Sequence, residues 1–212
     1  MKLYFSPMAG SLAVRIALYE AGLAAEFIAV DRATKALPDG RDYREVHPLG
    51  LVPLLELEGG ERLTEIAAIL GMIAESTGAA PTGSIPRARL TQWLSFAASE
   101  LHKALFFPLF DPTTPEAARD YALRRGEERL TWLGAQLEGR EWLQEEGFSV
   151  ADAYLITLLS WCVATPIALE GWPTLRAYLK RGLKRPQVAR AMAEERALYV
   201  AMLAGGRTQA QG

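Results

Sequence analysis

Residues 49–74 read LGLVPLLELEGGERLTEIAAILGMIA. Pro53 stands at the entrance of a short apolar run, Leu54-Leu55-Glu56-Leu57. Proline has no N–H to donate and is tolerated where a strand begins. Gly59-Gly60 is a two-residue turn of the kind that closes a tight hairpin, and Glu61-Arg62-Leu63 is the short return strand. Thr64 then caps a helix that Glu65 begins. Ile66, Ala67, Ala68, Ile69, Leu70, Met72 and Ile73 give this helix an apolar surface too wide for a surface helix, so it is expected to be buried against the sheet. The order is loop, proline, hairpin, helix. A carboxylate falls in the first helical turn, beside N–H groups that have no partner within the helix.

Upstream, Lys2, Leu3, Tyr4 and Phe5 form a β-prone run that Ser6-Pro7 breaks. Ser11 can cap a helix carrying Leu12, Ala13, Ile16, Ala17 and Leu18, and Gly22 closes it. Residues 26–31 read as a second strand. A gap of this size between strands, filled by a helix, predicts a βαβ unit with parallel strands. Residues 32–48 are polar, with Pro38, Asp39-Gly40 and Pro48, and read as a loop with one short helix over 41–46. The pattern βαβ, α, ββα is the thioredoxin-like arrangement: four strands in a mixed sheet with helices on both faces.

Residues 78–86, rich in Gly and Pro, read as a linker. Beyond them the spacing of apolar residues predicts helices only, over 88–107, 116–137, 153–164, 172–183 and 186–195. Ser149-Val150-Ala151-Asp152 has the spacing of a capping box, with Asp in place of the usual Glu. The tail from Gly205 reads as unstructured. The expected organisation is a thioredoxin-like domain over 1–77, a linker over 78–86 and an all-α domain over 87–212.

The chain has 212 residues, half of them hydrophobic, and a formal net charge of −2. Proteins that bind nucleic acid or membrane surfaces carry a basic excess, so neither partner is expected. Lys180, Arg181, Lys184 and Arg185 read as a solvated helix face. No stretch approaches the roughly 18 apolar residues of a membrane span, and the N-terminus lacks the features of a signal peptide. A single cysteine, Cys162, permits no internal disulfide and fits a reducing compartment, so a cytoplasmic location is the expectation. Cys162 lies among Leu158, Leu159, Trp161 and Val163 and reads as a buried structural thiol. No cysteine stands near the first helix, which argues against a thiol–disulfide oxidoreductase. No metal site is expected.

Several motifs point the same way. Val52-Pro53 enters a hairpin that ends in Thr64-Glu65. Phe148-Ser149-Val150-Ala151-Asp152-Ala153-Tyr154 opens the most apolar helix. Glu100-Leu101-His102-Lys103 is followed by Phe107-Pro108-Leu109-Phe110. With Ser11-Leu12-Ala13, Asp31 and Lys35, Asp39-Gly40, Tyr43 and the run from His47 to Pro53, these residues resemble the glutathione transferases, and most of all the bacterial beta class. The resemblance spans residues 1–197.

It implies a cis Val52–Pro53 bond, with the Val52 backbone offered to the cysteinyl unit of glutathione. It gives Glu65 the γ-glutamyl ammonium, the N–H of Ile66 the neighbouring carboxylate, and Lys35 the glycyl carboxylate. Thiolate stabilisation falls to Ser11 and the backbone beside Gly10, with His102 as a second site residue. Met8, Phe106 and Phe107 are expected to line a groove for a small hydrophobic electrophile. A homodimer acting in detoxification is implied as well. The thiolate is the nucleophile, and a free thiol with a pKa of about 8.5 is only a few per cent ionised at neutral pH, so the site must favour the anion.

The chain departs from the class at three positions around this ligand. Gly10 stands where the class has a cysteine, Ile66 where it has Ser or Gly, and Ser95 where it has Asn. His47 also replaces the usual asparagine before Pro48. Two readings follow: a transferase that conjugates glutathione to an electrophile, or a glutathione-binding or regulatory member with little or no catalysis.

Overall fold

A computed structural model describes residues 1–209 of the protein. In chain order the elements are β1 (Lys2–Phe5), α1 (Leu12–Glu20), β2 (Glu26–Ala29), a 3₁₀ turn (Tyr43–Glu45), β3 (Leu54–Glu56), β4 (Arg62–Thr64) and α2 (Ile66–Ser76). There follow α3 (Ser84–Phe96), a π-helical segment (Ala97–Phe106), α4 (Phe107–Phe110), α5 (Glu116–Gln136), α6 (Val150–Ser160), α7 (Pro173–Gly182) and α8 (Pro186–Gln209). The chain divides into two units: Met1–Ile69 with the chain from Pro186 onward, and Leu70–Arg185.

The first unit holds a four-stranded mixed sheet in the order β2-β1-β3-β4. β1 runs parallel to β2 and antiparallel to β3, and β3 and β4 form the hairpin. Gly60 closes that hairpin at φ 83°, donating to the Leu57 carbonyl at 2.9 Å. A left-handed turn residue is where glycine is needed. Leu3, Tyr4 and Phe5 are all buried, because both faces of the sheet are covered. Tyr4, Val30, Leu37, Tyr43 and Leu54 pack as one cluster, with Ile28, Val46 and Val52 against it. The thioredoxin-like reading of the N-terminal half thus holds strand by strand.

α8 is the surprise of this unit. The sequence reading places residues 186–195 with the all-α domain, whereas α8 packs against α1. The reason lies in α1, where every residue from Leu12 to Leu18 is buried, more than one sheet face can cover. Val188, Ala191 and Glu195, on one stripe of α8, are themselves fully buried. α8 is helical to Gln209, past the Gly205 where the tail reads as unstructured; residues 210–212 of that tail lie outside the described residues.

The second unit is helical. Among the described residues beyond 86 there is no strand, only an isolated bridge between Gln144 and Gly147. α3 begins at Ser84, inside the stretch read as a linker, and α3, the π segment and α4 follow one another without a break up to Asp111-Pro112. The Cα of Gly126 in α5 comes so close to Leu105 that a side chain there has no room. Asp152 organises the base of α6. It accepts from the Ser149 N–H and hydroxyl at 2.8 and 2.7 Å, the Leu143 N–H at 2.9 Å and the Tyr178 hydroxyl at 2.6 Å. Burial raises its pKa, against the pull of those donors. No helix among the described residues is long and apolar enough to cross a membrane.

Candidate functional site

Strand register gathers the N-terminal site residues at one end of the sheet. Phe5 pairs with Ala29, Tyr4 with Leu54, and Leu54 with Thr64. One step further along each strand lie the loop that opens at Ser6, the loop that follows Val30, the Val52–Pro53 peptide and Glu65. This is the carboxyl end of the parallel pair β1/β2, the end at which open α/β sheets bind ligands.

The first of these segments is residues 6–11. Ser6 donates its hydroxyl to the Val30 carbonyl at 2.7 Å. Met8 adopts the left-handed conformation, φ 59°, and its N–H donates to the Glu195 carboxylate of α8 at 2.8 Å. Ser11 is fully buried, and its hydroxyl makes no cap to α1. It donates instead to the Ser6 carbonyl at 3.2 Å and accepts from the Ser6 N–H at 3.3 Å. A hydroxyl has one proton to give, and that of Ser11 is given inward. The N–H groups of Gly10 and Ser11, ahead of the first turn of α1, have no protein acceptor among the described residues. They are the kind of donor that holds an anion at a helix start.

The second and third segments are tied together by Tyr43. Its N–H donates to the Lys35 carbonyl at 2.8 Å, and its hydroxyl donates to the Leu51 carbonyl at 2.9 Å. Burial pushes the Tyr43 hydroxyl pKa up, so it stays protonated and a donor. Lys35 is itself left-handed, φ 64°, at the end of a turn in which Asp31 accepts from the Ala33 and Thr34 N–H groups at 2.9 and 2.7 Å. Those bonds hold the Asp31 carboxyl below its usual pKa. The Lys35 stem lies against Gly50, whose φ of 60° turns the chain into the segment before Val52. The Val52–Pro53 peptide is cis, as the resemblance implies. Val52 is half-buried and Pro53 buried.

Glu65 differs from its sequence reading. It does not begin the helix, and Thr64 does not cap it: Thr64 closes β4 and Glu65 is the capping position. Its carbonyl accepts from the Ile69 N–H at 3.0 Å while its backbone sits at φ 65°. A left-handed glutamate is strained by roughly 1–3 kcal/mol, and such residues cluster at functional sites. Its side chain is exposed. Ile66 is buried, so its bulk is turned away from solvent and its N–H remains at the helix start.

The remaining predicted residues lie in the second unit. His102 is on the π segment, a conformation frequent at functional sites. Its Nδ1 is 2.7 Å from the Tyr154 hydroxyl, and its ring lies 5.0 Å from that of Trp161. Burial, with help from the Lys103 charge, lowers its pKa to about 4, so the ring is neutral near pH 7. Phe106 is fully buried against Phe110 and Trp161 and has no surface to offer a ligand. Phe107 is half exposed, with the Lys103 ammonium 4.9 Å from its ring centre. Cys162 is buried, its thiol pKa pushed up to about 12, and it is unsuited to redox chemistry.

Among the described residues no group of three or more His, Cys, Asp or Glu side chains could hold a metal ion. Glu195 and Arg15, behind the first loop, are the residues the sequence reading missed. No local pattern marks them, because their meeting depends on α8 docking against α1.

Comparison with known proteins gives concordant results. Residues 6–76 match the model of the glutathione S-transferase N-terminal domain, and residues 97–186 that of the C-terminal domain. Glutathione S-transferase GstA of Escherichia coli O157:H7 is 39% identical over 199 residues, covering 92% of this chain and 98% of that protein. A beta-class glutathione S-transferase of Sphingomonas chungbukensis has a structure that superposes with a TM-score of 0.86 at 42% identity, over 92% of this chain and 98% of that one. A sphingomonad glutathione S-transferase complexed with glutathione superposes equally well, TM-score 0.86 at 43% identity, with the same coverage.

Proposed function

We infer the function from one premise: the chain belongs to the glutathione S-transferase family. Glutathione binds at the carboxyl end of the sheet and is conjugated through its sulfur to a small hydrophobic electrophile. The observation that carries this reading is the register that brings residues 6–11, Lys35, Val52–Pro53 and Glu65 to one end of the sheet. A tripeptide with an ammonium, two carboxylates, two amides and a thiol needs a carboxylate, cationic or N–H donors, a strand edge and an anion site. Those groups are all present there. A relative 43% identical is complexed with glutathione, which supports the same assignment here.

In this reading Glu65 accepts from the γ-glutamyl ammonium. The first-turn N–H groups of α2, that of Ile66 included, take the adjoining carboxylate. The Val52 backbone pairs strand-fashion with the cysteinyl unit. Lys35 meets the glycyl carboxylate. The sulfur lies at the start of α1, where the N–H groups of Gly10 and Ser11 and the helix field favour the thiolate. Ser11 contributes its N–H rather than its hydroxyl. The thiol proton leaves to solvent, the sulfur forms a bond to the electrophilic carbon, and a leaving group departs with the bonding pair. On an activated alkene the carbon skeleton takes up a proton instead. Met8, in the same loop, is half-buried and keeps apolar surface that such a molecule can use. A homodimer and a role in detoxification belong to the same reading.

The test is calorimetric titration with glutathione, then a panel of electrophiles with thioether detected by mass. Glu65→Ala is expected to weaken binding by roughly 1.5–3 kcal/mol, the range for hydrogen bonds to charged groups. An unchanged dissociation constant removes the assignment. Gly10 favours the second reading, in which glutathione is bound but not turned over. Binding without thioether from any electrophile identifies it.

A further inference from the structure

Glu195 is distant in sequence from the loop it touches. It is fully buried, its Oε2 accepts from the Met8 N–H at 2.8 Å, and its Oε1 faces Arg15 Nε at 3.3 Å. A buried carboxylate is costly unless it is paired, and here the pairing is shared. Arg15, itself buried, is one cation facing two carboxylates, Glu194 at 3.2 Å and Glu195 at 3.3 Å. Glu194 is further served by the Tyr19 hydroxyl at 2.5 Å and by Arg190 at 2.9 Å. The Oε1 of Glu195 and the Nε of Arg15 meet without the alignment of a hydrogen bond. Arg15 has Glu194 as a partner in any case. What the carboxylate adds is its bond to Met8, a residue held at φ 59° in the turn that leads to Gly10 and Ser11. A non-glycine residue keeps such a conformation only where its surroundings impose it.

We propose that Glu195 is a positioning residue for the thiol-binding loop: it clamps the Met8 amide, and so fixes the turn from which the Gly10 and Ser11 N–H groups are presented to sulfur. The role rests on residues 6–11 being the docking loop assigned above. Glu195 acts through Met8 and touches no ligand.

The clamp is graded by pH. Burial raises the Glu195 pKa to about 7; Arg15 and the Met8 N–H lower it, and Glu194 raises it further. The groups acting on it are Arg15 from α1, Glu194 from α8 and the Met8 N–H from the loop; Tyr19 and Arg190 meet Glu194 instead. Above that midpoint the bond to Met8 is charge-assisted. Below it the acceptor is a neutral carboxyl and the bond is weaker.

The experiment is NMR of the full chain without ligand, paired with glutathione calorimetry, in wild type and Glu195→Gln. The Met8 amide resonance is expected to titrate near pH 7 in wild type and to stay flat in the variant. About one unit above the midpoint, Glu195→Gln is expected to bind glutathione about fivefold more weakly, the gap between a charged and a neutral acceptor. About one unit below, the two are expected to bind alike. A Met8 resonance that does not titrate in wild type, or equal affinity of the two proteins at both pH values, overturns the proposal. A Met8 titration in a wild type that binds no glutathione overturns the docking reading, and the sulfur role with it, while leaving the contact intact. Should Glu195→Gln fail to fold, the wild-type Met8 titration decides, with Glu194→Gln as the variant in which it must persist.

Discussion

Ser11 has one proton, and where that proton goes decides what the residue can do. It goes to the Ser6 carbonyl, 3.2 Å away, and the Ser11 hydroxyl oxygen accepts from the Ser6 N–H. Ser11→Ala therefore leaves the buried Ser6 N–H without its partner, while the Ser6 carbonyl keeps the Ala9 N–H at 3.1 Å, at a cost of about 1–3 kcal/mol. Denaturant unfolding is expected to show that loss, while the thiolate absorbance of bound glutathione titrates as in wild type. A shifted titration would return the hydroxyl to the sulfur. The sequence identifies a serine at a helix start, and the choice between capping, outward donation and a strap across the loop depends on a rotamer that no spacing encodes. Glu65 makes the same point through its backbone. Its type and place at the end of the hairpin are legible, but its left-handed conformation, which takes it out of the helix, is not.

At the scale of elements, the hairpin, the βαβ unit and the capping box of α6 are legible because each is written in local signals: a glycine pair, a strand-sized gap, a Ser and an Asp three apart. α8 is not, since what decides its partner is the all-round burial of α1. The loops between elements depend on long-range ties of the same kind, and Tyr43 is the clearest. Its hydroxyl holds the Leu51 carbonyl, just ahead of Val52, while its N–H holds the Lys35 loop. Tyr43→Phe keeps the ring in its cluster and the N–H in place and removes only the first tie. A loss of about 1 kcal/mol in stability is expected. Glutathione affinity is expected to fall with no change in the pH at which its bound thiol ionises. A variant that binds as tightly as wild type would mean that the Val52 edge is held without this bond.

For the whole molecule, two buried groups set opposing responses to acid. His102 ionises near pH 4 in the folded chain against 6.5 as a free side chain, so the unfolded chain binds the extra proton and stability rises with pH across that window. Glu195 ionises near pH 7 against 4.5 for a free carboxyl, so the folded chain binds the extra proton and stability falls with pH from 4.5 to 7. Each group contributes on the order of 3 kcal/mol, since a tenfold change in an ionisation constant corresponds to about 1.4 kcal/mol. In a single unfolding transition the two slopes oppose over their shared window, and Asp152, whose pKa burial also raises, adds to the falling one, so the wild-type profile is not expected to climb there. Glu195→Gln removes that group's falling limb, so its stability is expected to gain on that of wild type through the window and to exceed it at neutral pH. His102→Asn leaves the falling limbs alone. Denaturant unfolding at a series of pH values, followed by circular dichroism, reads all three profiles. The five tryptophans, Trp93, Trp132, Trp142, Trp161 and Trp172, all lie within Leu70–Arg185, so fluorescence follows the unit that carries His102. Fluorescence that climbs with pH while circular dichroism does not would mean that the units unfold in separate steps. A wild-type profile that climbs by both probes, with Glu195→Gln parallel to it, would mean that Glu195 ionises as an ordinary carboxylate, and that the stability given up for the clamp on Met8 is small.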